Sequence, residues 1–267
     1  MKIAPLSVAV LMTCHNRVLK TCNCLQALFA QKLDSNVLLK VFLVDDASSD
    51  GTSQQVRHKF PQVQMTQGSG NLYWCGGMRL AWSVAAKSDP DFYLLLNDDT
   101  NLLPNALESL LASVPSPSTK AIAVGAISDP VTGKKSYGVV PIGRTTPSHG
   151  ISTFNGNCVL ISRAVYQDLG SFHPAYTHAM GDTDYGYAAV RKGIPIFETK
   201  HFIGTCPRDH TEKTWRDRSL SVSDRLRLLN SPKGLPYREW FVFCRRNYGL
   251  FWLIKFLGPT IRILLGI

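Results

Sequence analysis

The 267-residue chain reads as an α/β protein, a mostly parallel sheet with helices on both faces. Two observations predict this. Short apolar runs, each long enough for one buried strand, alternate with helical stretches, the pattern of consecutive strand–helix–strand units. Three of those runs end abruptly in polar clusters: Thr13-Cys14-His15-Asn16-Arg17, Asp45-Asp46 and Asn97-Asp98-Asp99-Thr100. In an open parallel sheet such strand ends converge on one crevice, where ligands bind.

Taken in order, residues 6–12 are apolar and partly β-branched and predict the first strand. A helix follows, with Leu19, Leu25, Leu28 and Phe29 as its inner face. Residues 38–44 predict the second strand. The turn Asp50-Gly51-Thr52 then opens a helix that carries Val56 and Phe60 inward until Pro61 stops it. A short strand at 63–66 leads through Gly68-Ser69-Gly70-Asn71 to a helix over 77–86. Phe92 to Leu96 make the next strand, and a helix begins near Leu103-Pro104. Pro115-Ser116-Pro117-Ser118 is a surface break that divides one domain into two halves, 1–115 and 116–235. In the second half 121–127 predicts a strand, 131–135 a hairpin turn, 144–152 a polar loop, and 154–162 a strand followed by a short helix ending at Gly170. A helix is expected from Gly181 to Arg191, and residues 236–267 form a basic, apolar helical extension.

Hydrophobic residues at 45% and charged residues at 18% are enough for a packed core and argue against long disorder. The formal charge of +10 is concentrated late: residues 200–267 hold 13 Lys and Arg against 5 Asp and Glu, a net of +8. Basic residues interleaved with Trp, Phe and Leu favour an anionic membrane surface over nucleic acid as a partner. The tail 248–267 contains Lys255, Pro259 and Arg262 and is a poor spanning helix. It is either an interfacial anchor or a helix packed on the domain. Seven scattered cysteines without a Cys-x-x-Cys pair form neither a zinc set nor a disulfide framework. Reduced thiols predict a cytoplasmic location, and the basic tail a peripheral position at the inner face of the plasma membrane. The first apolar run lacks a small-residue cleavage site, so it is read as a strand and not as a signal peptide.

Glycine-rich phosphate cradles are missing. Gly68-Ser69-Gly70 lacks the third glycine of a dinucleotide fingerprint, because position 73 is Tyr, and no P-loop occurs. A nucleotide would therefore be held by carboxylates, a metal and Arg79. Asp98 and Asp99 side by side repel unless a cation or proton lies between them. Their hard oxygens suit Mg²⁺ or Mn²⁺, ions that keep places for phosphate oxygens.

Four segments occur in order: Thr13-Cys14-His15-Asn16-Arg17, Val44-Asp45-Asp46-Ala47-Ser48-Ser49-Asp50-Gly51-Thr52, Asn97-Asp98-Asp99-Thr100 and Gly181-Asp182-Thr183-Asp184-Tyr185. Together they resemble the successive motifs of family 2 glycosyltransferases, in particular the rhamnosyltransferase-like members, over residues 6–240. The resemblance implies a GT-A fold with a Rossmann-like sheet, in which residues 1–115 are the nucleotide-sugar-binding half and 116–235 the acceptor-binding half, and inverting sugar transfer. It implicates Thr13, Asn16 and Arg17 in holding the base and ribose of a nucleoside diphosphate sugar, with Asp45 or Asp46 accepting from the base. The segment Asn71 to Arg79 resembles the part that approaches the donor, which makes Arg79 the expected diphosphate contact and Trp74 a stacking surface. Asn97 stands where the family's Asp-x-Asp motif begins, so Asp99 is the leading metal ligand, with Asp98 beside it in the donor site. Gly181 stands where the family has Glu, and Asp182 takes the place of the catalytic base. Asp184 is then structural or a second acceptor contact.

Of the late histidines His201 and His210, His210 is the candidate third metal ligand, and residues 211–229 form a loop that closes over the donor. The expected function is transfer of a sugar to a hydroxyl of a glycan or lipid-linked glycan. The rival readings are a sugar-phosphate nucleotidyltransferase and a non-catalytic nucleotide-sugar-binding module.

Overall fold

The computed structural model describes residues 5–114, 116–142, 152–208 and 213–266. In chain order the first strands are β1 (Leu6–Cys14), β2 (Val37–Asp45), β3 (Gln64–Gln67), β4 (Phe92–Leu96), β5 (Asn101–Leu102) and β6 (Ile122–Ser128). They are followed by β7 (Lys135–Tyr137), β8 (Val139–Pro141), β9 (Ser152–Phe154), β10 (Cys158–Ser162) and β11 (Ile196–Thr205). The helices are α1 (Val18–Phe29), α2 (Thr52–Lys59), α3 (Tyr73–Ala85), α4 (Ala106–Ala112) and α5 (Arg163–Leu169). The later ones are α6 (Gly181–Arg191), α7 (Val222–Leu229), α8 (Tyr237–Asn247) and α9 (Trp252–Leu264).

The main sheet has the order β3-β2-β1-β4-β10-β6-β11-β5, with β7 added on β6. Strands β3, β2, β1 and β4 are parallel, as the strand–helix alternation predicts. β10 lies antiparallel between β4 and β6 and so joins the two halves of the chain in one sheet.

The central strands feed two cores because successive side chains point to opposite faces. Along β1, Val8, Val10 and Met12 face α1, α2 and α4, where Leu25, Leu28, Val56 and Leu110 are buried. Ala9 and Leu11 face α3, α5, α6 and α8, where Met78, Trp82, Val165, Tyr185 and Phe243 are buried. Along β4 the same alternation puts Phe92, Leu94 and Leu96 on the first face and Tyr93 and Leu95 on the second. Burying an aliphatic or aromatic side chain of this size contributes about 1.5–3 kcal/mol, so the two faces supply most of the driving force.

Some boundaries differ from expectation for physical reasons. Leu19 is 76% exposed; Leu25, Leu28 and Phe29 face inward as expected and are joined there by Thr21, Cys22 and Cys24. α3 starts at Tyr73, so Gly76 and Gly77 lie inside a helix. Gly77 is required there because a Cβ would come within 2.1 Å of the Thr13 hydroxyl, which lets α3 sit close on β1. The helix expected near Leu103-Pro104 starts slightly later: Asn101 and Leu102 pair with β11 first, and α4 begins at Ala106. The strand expected over 154–162 is broken at Asn155-Gly156-Asn157, which separates β9 from β10. Residues 222–229, expected in a loop, form α7, capped by the Ser221 hydroxyl on the Asp224 amide at 3.1 Å. Residues 144–151 of the expected loop lie outside the described residues, as does His210.

Candidate active site

The alternation of β4 continues past its last residue and decides where the metal-type motif points. Asn97 keeps strand-like pairing, its amide donating to the Asn157 carbonyl at 2.9 Å. Its side chain falls on the α3 face, where Trp74 Nε1 donates to Asn97 Oδ1 at 2.7 Å. Asp98 falls on the α1 face. There its two oxygens accept from Arg17 at 3.0 Å and from the Thr21 hydroxyl at 3.1 Å. Asp99 is more open and also accepts from Arg17 Nη1 at 3.0 Å.

Arg17 thus bridges both carboxylates. Burial pushes the Asp98 acid up to about 6; Arg17 opposes that shift and Asp99 adds to it. Burial works against the Arg17 charge, but Asp98 and Asp99 outweigh it and hold its pKa above the ordinary value. The Cys206 thiol lies 3.6 Å from the other Asp99 oxygen, and burial pushes its pKa up to about 12, so it is a neutral neighbour.

Asp182 stands in the first turn of α6, where carboxylates favour the helix dipole. It accepts from the Gly156 amide at 2.9 Å and from the Thr183 amide at 2.7 Å. Burial nevertheless holds its acid above the usual carboxylate range. Gly156 cannot carry a side chain, because a Cβ would lie 2.4 Å from the Trp74 ring. The Trp74 indole therefore links the two motifs: its N–H rests on Asn97, and its ring rests on the residue whose amide holds Asp182. The ring also packs against Phe172, with the ring centroids 5.3 Å apart. Gly181 is explained by the same crowding. A Cβ there would lie 2.4 Å from Cys75 Sγ, so the Glu of the family pattern has no room.

The second motif faces the protein. Asp45 is fully buried and accepts from the Ser48 amide at 3.0 Å and from the Ser53 hydroxyl. Asp46 accepts from the amides of Gly70, Leu72 and Tyr73 at 2.7, 2.9 and 3.0 Å and ties the 68–73 loop to the end of β2. Neither carboxylate is turned out toward a base; both shape the loops around that end of the sheet. Asn16, at φ 51°, accepts from the Ser49 amide at 2.7 Å and braces the β1–α1 loop against the loop after β2. Asp50 accepts from the amides of Val18 and Thr52, both at 3.0 Å, and starts α1 and α2 together. The Asp50-Gly51-Thr52 turn is therefore structural, with Gly51 at φ 84°. Thr13 is buried against Gly77 at the end of β1. Non-glycine residues with positive φ gather at these ends: Asn16, Ala47, Tyr73 and Met180, strain of the kind that accompanies functional sites.

Arg79 does not join the carboxylates. Its guanidinium donates to the carbonyls of Tyr176 and His173, bracing the segment that leads into α6. In place of the expected diphosphate contact, the Arg79 side chain satisfies loop carbonyls in this structure. Asp184 is buried and bound by Arg246 at 3.1 Å and Asn247 at 2.7 Å, a structural tie to α8. Glu239 of α8 adds a second tie, accepting from the Thr177 amide at 3.1 Å and its hydroxyl at 2.6 Å. Thr21 and Gly156 are site residues that the sequence did not mark. Thr21 was legible in principle, since it lies four residues after Arg17 on the same face of α1.

Among the described residues no three His, Cys, Asp or Glu side chains surround a common point. That donor set still fits a divalent ion of the Mg²⁺ or Mn²⁺ type. Such ions take one or two carboxylates and complete their shell with water and substrate phosphate. Asp99 has the exposure and the hard oxygens for it, whereas Asp98 is turned inward to Arg17 and Thr21.

A model of glycosyl transferase family 2 matches residues 9–170, more than half of the chain and three of the four motif segments. The chain belongs to that family. This glycosyltransferase also resembles solved structures along nearly its whole length. One is the mannosyltransferase PcManGT of Pyrobaculum calidifontis, in complex with GDP-Man and Mn²⁺, at TM-score 0.61 and 13% identity, covering 99% of this chain and 74% of that one. Another is S. aureus TarS 1-349 in complex with UDP-GlcNAc, at TM-score 0.61 and 13% identity, covering 98% and 73%. A third is GalNAc-T7 with UDP, GalNAc and Mn²⁺, at TM-score 0.59 and 12% identity, covering 100% and 57%. These likenesses establish the GT-A fold of the glycosyltransferase. No curated protein matches its sequence.

Proposed function

We propose that the enzyme transfers a sugar from a nucleoside diphosphate sugar to a hydroxyl of a glycan or lipid-linked glycan, with inversion at the transferred carbon. Asp182 is the base that removes the acceptor proton. A base of this kind needs a raised pKa and a fixed position, and both observations about Asp182 fit. Asp99 holds the divalent metal, Mg²⁺ or Mn²⁺, with Asp98 behind it. When bound, that ion offsets the charge that grows on the departing diphosphate. Thr13, Asn16 and Arg17 form the wall for the nucleoside, with Asp45 and Asp46 fixing its loops and not touching the base directly. Structures of similar fold that were solved with GDP-Man, UDP-GlcNAc or Mn²⁺ support a donor site of this class.

The observation that carries the reading is Trp74, which contacts Asn97 on one side and Gly156 on the other. It couples the motif proposed for the metal to the motif proposed for the base. A thermal-unfolding screen with UDP-, dTDP- and GDP-sugars, each with Mg²⁺, Mn²⁺ or chelator, tests it. A ligand at 100 times its Kd stabilises the native state by about 2.7 kcal/mol. One nucleotide class should raise the melting temperature, more with metal than without. No shift with any donor and either metal would contradict the reading.

A further inference from the structure

The last two helices carry a feature that sugar transfer does not use. Leu250, Ile254, Leu257, Ile261 and Leu264 follow one another at spacings of four, three, four and three, which places them in a single stripe along α9 and the turn before it. All five are exposed, Leu250 at 97% and Ile254 at 70%. The opposite side is packed: Ile263 is buried, and Trp240 Nε1 donates to the Phe256 carbonyl at 3.2 Å. The helix is thus fixed on the protein by one face and presents a continuous aliphatic face outward.

The charge around the stripe selects its partner. After Glu239 the sequence contains no Asp or Glu, but it has Arg245, Arg246, Lys255 and Arg262. Arg246 is spent on Asp184, while Lys255 and Arg262 are exposed and, seven residues apart, flank the stripe on one side. Arg245 lies 5.0 Å over the Trp252 ring and Lys255 lies 5.4 Å over the Tyr248 ring. A second copy of this surface would bring cation against cation. An anionic bilayer surface complements it, with aliphatic side chains below the phosphates and Trp, Tyr, Lys and Arg at their level. No helix among the described residues is long and apolar enough to cross a membrane, which agrees with a helix that lies on the surface.

We propose that the stripe on α9 and its flanking cations bind the enzyme to anionic phospholipid bilayers. The same helical pair is tied by Arg246 and Asn247 to Asp184, two residues from Asp182, so the bilayer would lie in fixed relation to the proposed base.

Flotation of the full chain with phosphatidylcholine vesicles, with and without phosphatidylglycerol, tests it. Two double variants on exposed positions accompany the wild type: Ile254→Glu with Ile261→Glu, and Lys255→Glu with Arg262→Glu. Circular dichroism and the donor-induced thermal shift confirm that both are folded with an unchanged donor site. The wild type should float only with the anionic vesicles. The aliphatic variant should lose at least about tenfold in affinity, and the charge variant roughly fivefold for each removed cation at low salt. Equal binding to neutral vesicles, or no flotation at all, overturns the proposal. So does a stable dimer in sedimentation velocity that Ile254→Glu with Ile261→Glu converts to monomer while vesicles fail to bind.

Discussion

Trp74 Nε1 donates to Asn97 Oδ1 at 2.7 Å, and this bond gives a physical reason for an amide where the family pattern begins with Asp. Asn97 is the α3-facing residue of the segment, so its acceptor serves the indole. A third carboxylate at this point would stand next to Asp98 and Asp99, whose mutual repulsion already raises the Asp98 pKa after burial and against the help of Arg17.

Asn97→Asp is therefore expected to lower stability at neutral pH by about 1–3 kcal/mol, as an added, poorly solvated charge does. The loss should grow as pH rises from 5 to 7, because each step ionises more of the cluster. Denaturant unfolding at the two pH values measures it. Trp74→Phe removes both the donor and part of the indole ring, and should cost about 1–3 kcal/mol through the unpaired acceptor and the space left beside Gly156.

Gly181→Glu restores the family residue and should destabilise by about 1–3 kcal/mol, the usual cost of overpacking. The contact responsible is Cys75 Sγ, 2.4 Å from where a Cβ would stand. Cys75→Ala, itself mildly destabilising, should recover part of the loss when combined with Gly181→Glu. A double-mutant cycle with no coupling energy would show that the crowding lies elsewhere.

Removal of Arg17 exposes the carboxylate pair to its own repulsion. Arg17→Ala should lower the melting temperature more at pH 7 than at pH 5, and added Mn²⁺ should restore more of it than in the wild type. This follows from Arg17 donating to both Asp98 and Asp99 at 3.0 Å. Its partial exposure keeps the expected size near 1 kcal/mol.

Asp98 makes a separate prediction. Its acid is raised from 3.8 to about 6 by burial, so the native state holds the proton more tightly than the unfolded chain does. The stability this gives is complete below pH 4 and is lost as pH rises through 6, on the order of 3 kcal/mol at most. Asp98→Asn cannot ionise. Its unfolding free energy relative to wild type should therefore rise between pH 4 and 6.5, and a flat difference would contradict the assigned burial.

The sheet and the motif-bearing ends were legible in the sequence because buried strands announce themselves. Phe92–Leu96 is a continuous apolar run, and its structural bounds are those the sequence predicts. The helix Gly181–Arg191 was equally plain from its acidic first turn and basic last turn. Side-chain direction was not legible. Asp46 and Arg79 look like ligand contacts in sequence, but loop amides claim the first and loop carbonyls the second. Those partners are distant in the chain and come near only when α3 packs on the sheet. The outward turn of Leu19 and the link through Trp74 were hidden for the same reason.

The central claim is that Asp182 is the base of the transfer. The most direct test is the acceptor-dependent release of nucleoside diphosphate by Asp182→Asn at saturating donor and acceptor, with the donor Kd measured alongside. With Asp182 as the base, the rate should fall about 10²- to 10⁴-fold while the donor Kd changes little. A variant that keeps the full rate would contradict it.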